Sequence, residues 1–346
     1  TPLLRRHRRG RFVMMPSGTW IEDLAVSGLG RLWGKDRLTV LAYHRIHDPV
    51  GFEFFEPVIS APPDGFARQM DLIAERFNAV SLADVLSWMD GKGRLPPNPV
   101  LITFDDGYRD NLEQAMPILR EREMPAVLFV ATGNIDRSQP FFWDSAAYSF
   151  HHTDTTEADL PILGPRVWGS SPSVVCAEWI EAAKREPQDR REELTEQLGQ
   201  VLGVVMPDSA RTGELLSWDE IREMAGQGFS MGSHTVSHAI LTELSAAEAQ
   251  RELAESRRRL EDELNEPIRA LAYPNGTTLD FNPQIEGMAS EAGYSAAFTL
   301  IPGPARSGEV RSNPLAIRRI ALYLSDEDRR FRAKLAGGGR VKASLS

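Results

Sequence analysis

A short apolar run that ends in two carboxylates and a glycine places the strongest constraint on this chain. Residues 100–102 predict a buried strand, and Gly107 permits a tight turn directly after Asp105 and Asp106. Neighbouring side chains normally point to opposite faces of a strand, but both carboxylates can reach one cleft where the backbone bends at the strand end. One could bind a cation while the other moves a proton. The alternative interpretation is an ordinary Asp-rich surface turn.

The order of the predicted elements favours a parallel α/β sheet. A helix predicted over 111–123 separates the Asp-Asp strand from a strand over 126–130, and such units form right-handed crossovers. Apolar and β-branched runs predict further strands over residues 38–44, 229–233, 270–273, 296–300 and 317–323. Helical spacing predicts helices over residues 66–77, 82–89, 246–264, 285–292 and 327–335. A chain of 346 residues can hold one large domain of this kind.

Three regions depart from this alternation. Residues 1–36 contain an arginine-rich arm and an amphipathic helix predicted over residues 21–33, which packs on the domain or lies on a membrane surface. Residues 134–213 are rich in charge and proline, and predict an insertion of helix and loop with a helical stretch over 173–202. Residues 337–346 predict a flexible tail, so the domain itself is expected over residues 37–336.

Composition and charge exclude several classes of function. The net charge of −10 argues against nucleic acid as a partner, because phosphate binding needs a basic surface. The single cysteine, Cys176, excludes an intramolecular disulfide framework. We find neither an apolar run of about 18 residues nor the layout of a signal peptide. A cytoplasmic location or a peripheral membrane contact is therefore expected, and the sequence predicts no oligomeric state.

Two closely spaced histidines indicate a metal site. His234 and His238 are four residues apart, the spacing at which side chains share one face of a helical turn. Imidazole nitrogen suits zinc, and an aspartate can complete such a site with a position left for water. The alternative is a pair of helix-surface histidines, which is less expected because the whole chain has only 7 histidines.

A third stretch completes an ordered set of motifs. The Asp-Asp-Gly strand end is followed by Ser-His-Thr-x-x-His over 233–238 and by Ala-Tyr-Pro-x-Gly over 272–276. This order resembles the polysaccharide deacetylase family, carbohydrate esterase family 4. Residues 43–46 (Tyr-His-Arg-Ile) and 141–144 (Phe-Phe-Trp-Asp) resemble a branch that acts on bacterial extracellular polysaccharides. The resemblance covers roughly residues 38–335 and implies a deformed (β/α) barrel of about seven parallel strands.

The resemblance also implies roles for individual residues. Asp106, His234 and His238 would hold a divalent metal, most simply Zn²⁺, with Co²⁺, Ni²⁺ or Mn²⁺ as other candidates. Asp105 would act as general base on water. Three aromatic residues would lie on the substrate and oxyanion side of the site: Tyr108, Tyr273 and Trp143. A backbone N–H near Tyr108 would stabilise the negative charge that develops on the carbonyl oxygen. The tryptophans of the insertion (Trp143, Trp168 and Trp179) would either stack on sugar rings or belong to the core.

The sequence departs from the commonest family pattern at two places. No histidine follows His238, where many relatives carry their general acid, so His44 at the end of the first predicted strand becomes the candidate by elimination. A structural role for His44 is the alternative. The third motif lacks its usual arginine, and either Arg318 or Arg319 on the last strand could supply a cation beside Asp105. The spacing does not distinguish the two, and we take Arg319 as the candidate.

These inferences predict a metal-dependent hydrolase that removes N-acetyl groups from amino-sugar units of a bacterial polysaccharide or its lipid-linked precursor. The same site could serve an O-acetyl esterase or a small-amide deacylase. A carbohydrate-binding module with an impaired site is an alternative from another class. The joint presence of both aspartates and both histidines argues against that alternative.

Overall fold

The computed structural model describes residues 37–137, 140–212 and 214–336. The predictions for the arginine-rich arm, the amphipathic helix over 21–33 and the tail over 337–346 lie outside the described residues. The proposed domain limits stay predictions.

Short strands recur along the described ranges, and the longer ones are apolar and buried along nearly their whole length. In chain order they are β1 (Arg37–Tyr43), β2 (Arg45–Ile46), β3 (Ile59–Ala61), β4 (Asn78–Ala79), β5 (Pro99–Phe104), β6 (Ala126–Val130), β7 (Glu157–Leu160), β8 (Gly164–Val167), β9 (Phe229–Ser233), β10 (Ala270–Ala272), β11 (Ala296–Pro302), β12 (Ala305–Arg306) and β13 (Ile317–Ala321). Near-continuous apolar runs are typical of parallel strands that are covered on both faces.

Seven of these strands run parallel to their neighbours and close into a barrel. The order around the barrel is β1, β5, β6, β9, β10, β11 and β13, which pairs with β1 again. The closing pair β1–β5 sets Val40 opposite Leu101 and Leu41 opposite Ile102. The predicted α/β fold, a deformed (β/α) barrel of about seven parallel strands, is confirmed.

Helices connect the strands and cover the outside of the barrel. In chain order they are α1 (Pro63–Arg76), α2 (Leu82–Met89), α3 (Met116–Glu121, preceded by a π-helical turn over Asn111–Ala115), α4 (Thr132–Arg137), α5 (Phe142–His152), α6 (Pro172–Ala183), α7 (Gln188–Leu202), α8 (Asp208–Thr212), α9 (Trp218–Gly226), α10 (Ala246–Leu264), α11 (Pro283–Glu291), α12 (Ser307–Ser312) and α13 (Asp328–Leu335). No helix in the described ranges combines the length and apolar character that a bilayer crossing requires.

Apolar residues at helical spacing attach helix α1 to the barrel. Phe66, Met70 and Ile73 lie on the inner face of the helix and are fully buried, as the spacing predicts. Their burial holds α1 against the barrel and leaves its charged residues outside.

The segment between β6 and β9 contains the predicted insertion of helix and loop, and its internal structure differs from prediction in two ways. The single helical stretch expected over 173–202 is two helices, α6 and α7. The break falls at Pro187, the N-cap of α7, because proline disfavours helical backbone in the residue before it and cannot donate an amide hydrogen bond. The antiparallel hairpin of β7 and β8 was not predicted.

All three tryptophans of the insertion are buried. The indole N–H of Trp168 donates to the carbonyl of Thr155, and that of Trp179 donates to the carbonyl of Pro161. The core interpretation therefore holds for these two residues, and the sugar-stacking interpretation is wrong for them. Trp143 is buried next to the candidate site.

Candidate metal centre and active site

The predicted residues converge at the carboxyl ends of the barrel strands. His44 follows β1, Asp105 and Asp106 follow β5, and His234 follows β9. Parallel strands place all their carboxyl ends at one edge, which is where barrels of this type carry their active sites. The fold thus brings together residues that are up to about 190 positions apart in the sequence.

Asp106, His234 and His238 form a compact group of metal-ligating atoms. Asp106 Oδ1 lies 3.5 Å from His234 Nε2 and 3.4 Å from His238 Nε2. Within the described residues, this is the one group of three metal-ligating side chains whose ligand atoms lie within 4.8 Å of one another. Two imidazole nitrogens and one carboxylate oxygen form a donor set that suits zinc and similar divalent metals.

The charge state of the group also suits a metal. Asp106 Oδ1 is buried and makes no hydrogen bond within the described residues. Burial and the charge of Asp105 raise the pKa of Asp106 well above its usual range. The ionised form of Asp106 is therefore unfavourable unless a cation lies beside it. Burial lowers the pKa of His234 and of His238, which keeps both rings in the neutral form that binds metals. The residues present therefore fit a divalent cation.

One backbone contact orients the first histidine. His234 Nδ1 lies 2.7 Å from the carbonyl oxygen of Ala272. Because a carbonyl only accepts, Nδ1 carries the proton and Nε2 presents its lone pair towards Asp106.

The two histidines lie on a loop, so the predicted helical turn is wrong. Thr235 has φ +66° and His238 has φ +55°, values that a right-handed helix does not contain, and Asp106 has φ +79°. Non-glycine residues in the left-handed region cost about 1–3 kcal/mol each and persist only where their surroundings fix them. Two of the three candidate ligands, Asp106 and His238, thus stand on strained backbone.

Asp105 is held apart from the metal-ligating group by a two-point ion pair. Arg319 Nη1 and Nη2 each donate to one oxygen of Asp105 at 2.7 Å, and Nη1 also donates to Thr103 Oγ1 at 3.1 Å. Burial opposes ionisation of Asp105, but the charge and the hydrogen bonds of Arg319 outweigh it and hold the pKa at about 2. Arg319 is fully buried, whereas the alternative candidate, Arg318, donates to the carbonyl of Pro302 at the surface.

His44 lies at the mouth of the barrel with its backbone fixed on both sides. Its N–H donates to Ser60 Oγ at 2.9 Å, and its carbonyl accepts from Asn111 Nδ2 at 2.8 Å. Burial lowers the pKa of the ring to about 4, although the nearby charge of Asp105 acts in the opposite direction. His44 is therefore neutral at neutral pH and electrostatically coupled to Asp105.

A buried polar cluster fixes the side of the site that holds Tyr108. Trp143 Nε1 donates to Tyr108 Oη at 2.9 Å, and Tyr108 Oη donates to Asp144 Oδ2 at 3.2 Å. The Arg45 guanidinium pairs with Asp144 at 3.4 Å and stacks 3.9 Å from the centre of the Tyr108 ring. The Trp143 ring meets the His238 ring edge-on at 4.9 Å. Trp143 and Tyr108 thus form a wall beside the metal-ligating group.

Sequence reasoning missed Arg45 and Asp144 as members of the site. Each directly follows a residue that was singled out, His44 and Trp143, and each lies in a stretch that carried the family resemblance. No spacing rule connects the two stretches, since the contact depends on how the insertion folds back over β2.

The two tyrosines predicted for the substrate side are placed differently. Tyr108 forms an isolated antiparallel bridge with Leu215, in which the amides of Arg109 and Leu216 donate to backbone carbonyls. The amide N–H of Tyr108 itself has no acceptor among the residues that the structure describes. Tyr273 is fully buried, and its hydroxyl donates to the carbonyl of Leu315 at 3.0 Å. The Tyr108 amide therefore stays unpaired within the described residues, whereas the Tyr273 side chain lies in the core.

A cavity of about 1100 Å³ opens between α5 and α7 of the insertion and reaches Ser237, the residue before His238. The barrel side contributes Ser237, and the insertion contributes Phe141, Trp143 and the α7 residues Arg191 and Thr195. The insertion thus forms most of this cavity, and the three candidate metal-ligating residues are not among the described residues that line it.

Comparison with known proteins identifies the family. The profile described as "Polysaccharide deacetylase" matches residues 92–297, more than half of the chain. The chain belongs to the polysaccharide deacetylase family. YxkH of Bacillus subtilis (strain 168) is 24% identical over 206 residues, which cover 60% of this chain and 46% of YxkH. The chain therefore spans less than half the length of that relative.

Solved structures support the fold. Streptococcus pyogenes deacetylase PplD in complex with acetate has a TM-score of 0.59 at 19% identity, covering 87% of this chain and 99% of that chain. IcaB from Ammonifex degensii has a TM-score of 0.54 at 19% identity, covering 87% and 98%. The BpsB deacetylase domain from Bordetella bronchiseptica has a TM-score of 0.53 at 18% identity, covering 84% and 97%.

The ion pair predicts a pH-dependent stability effect for Arg319→Gln. At neutral pH the variant leaves a buried carboxylate unpaired, and we expect the free energy of unfolding to fall by about 3–5 kcal/mol. Because pairing depresses the folded pKa of Asp105 from 3.8 to about 2, the pair's contribution is present above about pH 4 and is lost as pH falls towards 2. The deficit of the variant should therefore shrink over that range in chemical denaturation.

Arg318→Gln is the matched control for this measurement, because it changes a neighbouring arginine that is only half-buried. An equal loss in both variants, or a deficit that does not change with pH, would contradict the assigned pair.

Proposed function

We propose that this chain is a metal-dependent hydrolase that removes N-acetyl groups from amino-sugar units of a bacterial polysaccharide or its lipid-linked precursor. One observation carries the proposal. A buried carboxylate oxygen, Asp106 Oδ1, makes no hydrogen bond among the described residues and faces two neutral histidines, while the neighbouring Asp105 is held separately by Arg319. Membership of the polysaccharide deacetylase family supports the same reaction.

Asp106, His234 and His238 would hold the metal, most simply Zn²⁺, with Co²⁺, Ni²⁺ or Mn²⁺ as other candidates. When bound, such an ion supplies Lewis acidity to the amide carbonyl and to water. Asp105 accepts the proton of the attacking water. Its pKa of about 2 keeps it ionised at neutral pH, and the two bonds from Arg319 fix the direction of its carboxylate.

The wall that Trp143 and Tyr108 form beside the histidines suggests where the acetyl group of the substrate would lie. The Tyr108 amide is free to donate a hydrogen bond to the carbonyl oxygen as negative charge develops there. Phe141 and Trp143 stack at 4.2 Å between ring centres and present an apolar surface next to His238. That surface suits the methyl group of an acetyl substituent.

The last step requires a proton for the leaving amine. Water adds to the amide carbon, the C–N bond breaks, and the products are acetate and a free amino sugar. Because the pKa of His44 is about 4, its ring enters the reaction neutral and acts as a relay. It receives the proton that Asp105 has taken from water and passes it to the amine nitrogen.

The direct test is release of acetate from chitin oligomers and from a β-1,6-linked N-acetylglucosamine polymer, with chelator and with re-added zinc. The proposal predicts release that chelator abolishes and zinc restores, and the preferred polymer names the linkage. Release from an O-acetylated saccharide alone would favour an O-acetyl esterase, and release from a small acetamide alone would favour a small-amide deacylase. A chain that binds saccharide but no metal would favour an impaired binding module.

Two substitutions separate metal binding from proton transfer. Asp105→Asn should keep zinc and lower the rate by about 10²–10⁴-fold, because it removes the base without touching a ligand. His234→Ala should lose both zinc and activity. Zinc content and acetate release are measured on the same samples, with the exposed Asp154→Asn and His151→Ala as controls. Unchanged turnover in Asp105→Asn would remove Asp105 from the base role.

His44→Gln tests the relay. We expect normal zinc content and a loss of turnover of about 10²-fold or more, because the amine loses its proton donor. In the wild type, activity should fall as pH drops through about 4, since a protonated ring cannot receive the proton. His47→Gln, in the following loop, serves as control. A normal rate in His44→Gln would leave His44 with a structural role.

A further inference from the structure

We propose that Glu252 and Ser256 are positioning residues that hold the histidine loop, defined as residues 234–238, in its metal-binding form. The two residues lie one turn apart on α10, so their side chains share the face that the helix presents to the loop. The inference rests on the proposed function, because it concerns how the chain prepares the metal site that this function requires.

Glu252 binds the middle of the histidine loop through both carboxylate oxygens. Oε2 accepts the backbone N–H of Val236 at 2.8 Å and that of Ser237 at 2.9 Å, and Oε1 accepts Ser237 Oγ at 2.7 Å. Glu252 is itself buried. Three hydrogen bonds from one carboxylate to two consecutive residues fix both the position and the direction of the loop immediately before His238.

Ser256 binds Ser233, the residue directly before the same loop. Its hydroxyl lies 2.8 Å from Ser233 Oγ, which in turn accepts the backbone N–H of Thr235 at 3.2 Å. Both serines are fully buried. The helix α10 therefore contacts the chain on either side of His234, next to the strand β9 that delivers it.

The loop needs such support because its backbone is strained. Thr235 and His238 both have positive φ, and residues in that region persist only where neighbouring groups fix them. The opposite side of the loop is held by the amides of Thr132 and Gly133, which donate to the carbonyls of Thr235 and Val236. Without Glu252, the amides of Val236 and Ser237 would lose their acceptor and the loop would be free to relax away from Asp106.

Metal affinity is the property that separates a positioning role from general packing. Glu252→Gln has nearly the same shape but loses the charge and one accepting oxygen. Loss of a direct partner of a metal ligand typically weakens metal binding by about 10–100-fold, and the lower end of this range applies here because Glu252 acts through Val236 and Ser237. We expect a loss of that size in zinc affinity, measured by competition with a chromogenic chelator. Glu255→Gln, an exposed position on the same helix, should bind zinc like the wild type.

The absorption spectrum of the Co²⁺-loaded protein reports ligand geometry without reference to activity. We expect the visible bands to shift in Glu252→Gln and to stay unchanged in Glu255→Gln. A lower melting temperature of the metal-free protein with unchanged zinc affinity and an unchanged Co²⁺ spectrum would overturn the proposal, because it would show a contribution to stability alone.

Ser237→Ala keeps the proposal testable if Glu252→Gln does not fold. It removes only the hydroxyl bond to Glu252, so we expect a smaller loss of zinc affinity, of a few fold, and unchanged affinity would overturn the proposal. A wild-type protein that binds no zinc would contradict the proposed function and this inference together. A wild type that binds zinc and a folded variant that binds it equally well would contradict this inference alone.

Discussion

The buried ion pair between Asp105 and Arg319 gives two adjacent carboxylates different properties. Two ionised carboxylates side by side in a barrel interior repel each other, and each loses its hydration. Arg319 neutralises the charge of Asp105. The carboxylate of Asp106 has no such partner, so a cation held by Asp106 and the two histidines would compensate it. Because Arg319 comes from the last barrel strand, and β1 pairs with both β13 and β5, this division of roles depends on closure of the barrel.

Apolar runs alternating with helical patterns predicted a parallel α/β sheet. The resemblance carried by three separated motifs implied the barrel and the candidate metal-ligating residues. Neither the patterns nor the resemblance could choose between Arg318 and Arg319. Adjacent residues on a strand face opposite sides, and which side is the interior depends on how β13 pairs with its neighbours. The spacing of His234 and His238 suggested a helical turn because local spacing carries no information about distant contacts. The loop that forms instead has positive φ values at Thr235 and His238, which contacts with residues distant in the sequence hold in place.

The insertion is part of the site. Arg191 on α7 donates to the carbonyl of Ser237 at 3.2 Å, directly before the second histidine, while Trp143 on α5 meets the His238 ring. The histidine loop is thus held from the insertion, from α10 and from the start of α4. A site built in this way has little freedom to adjust its ligands, which is the condition that preorganised metal centres require.

Diffraction from crystals of the zinc-loaded protein, with anomalous differences collected at the zinc absorption edge, tests the central claim most directly. We predict one anomalous peak at about 2.0–2.2 Å from an oxygen of Asp106 and from the Nε2 atoms of His234 and His238, with Asp105 still bound to Arg319 outside the coordination sphere. A zinc ion within bonding distance of Asp105, or a zinc ion bound at another place in the barrel, would contradict the separation of the two carboxylates.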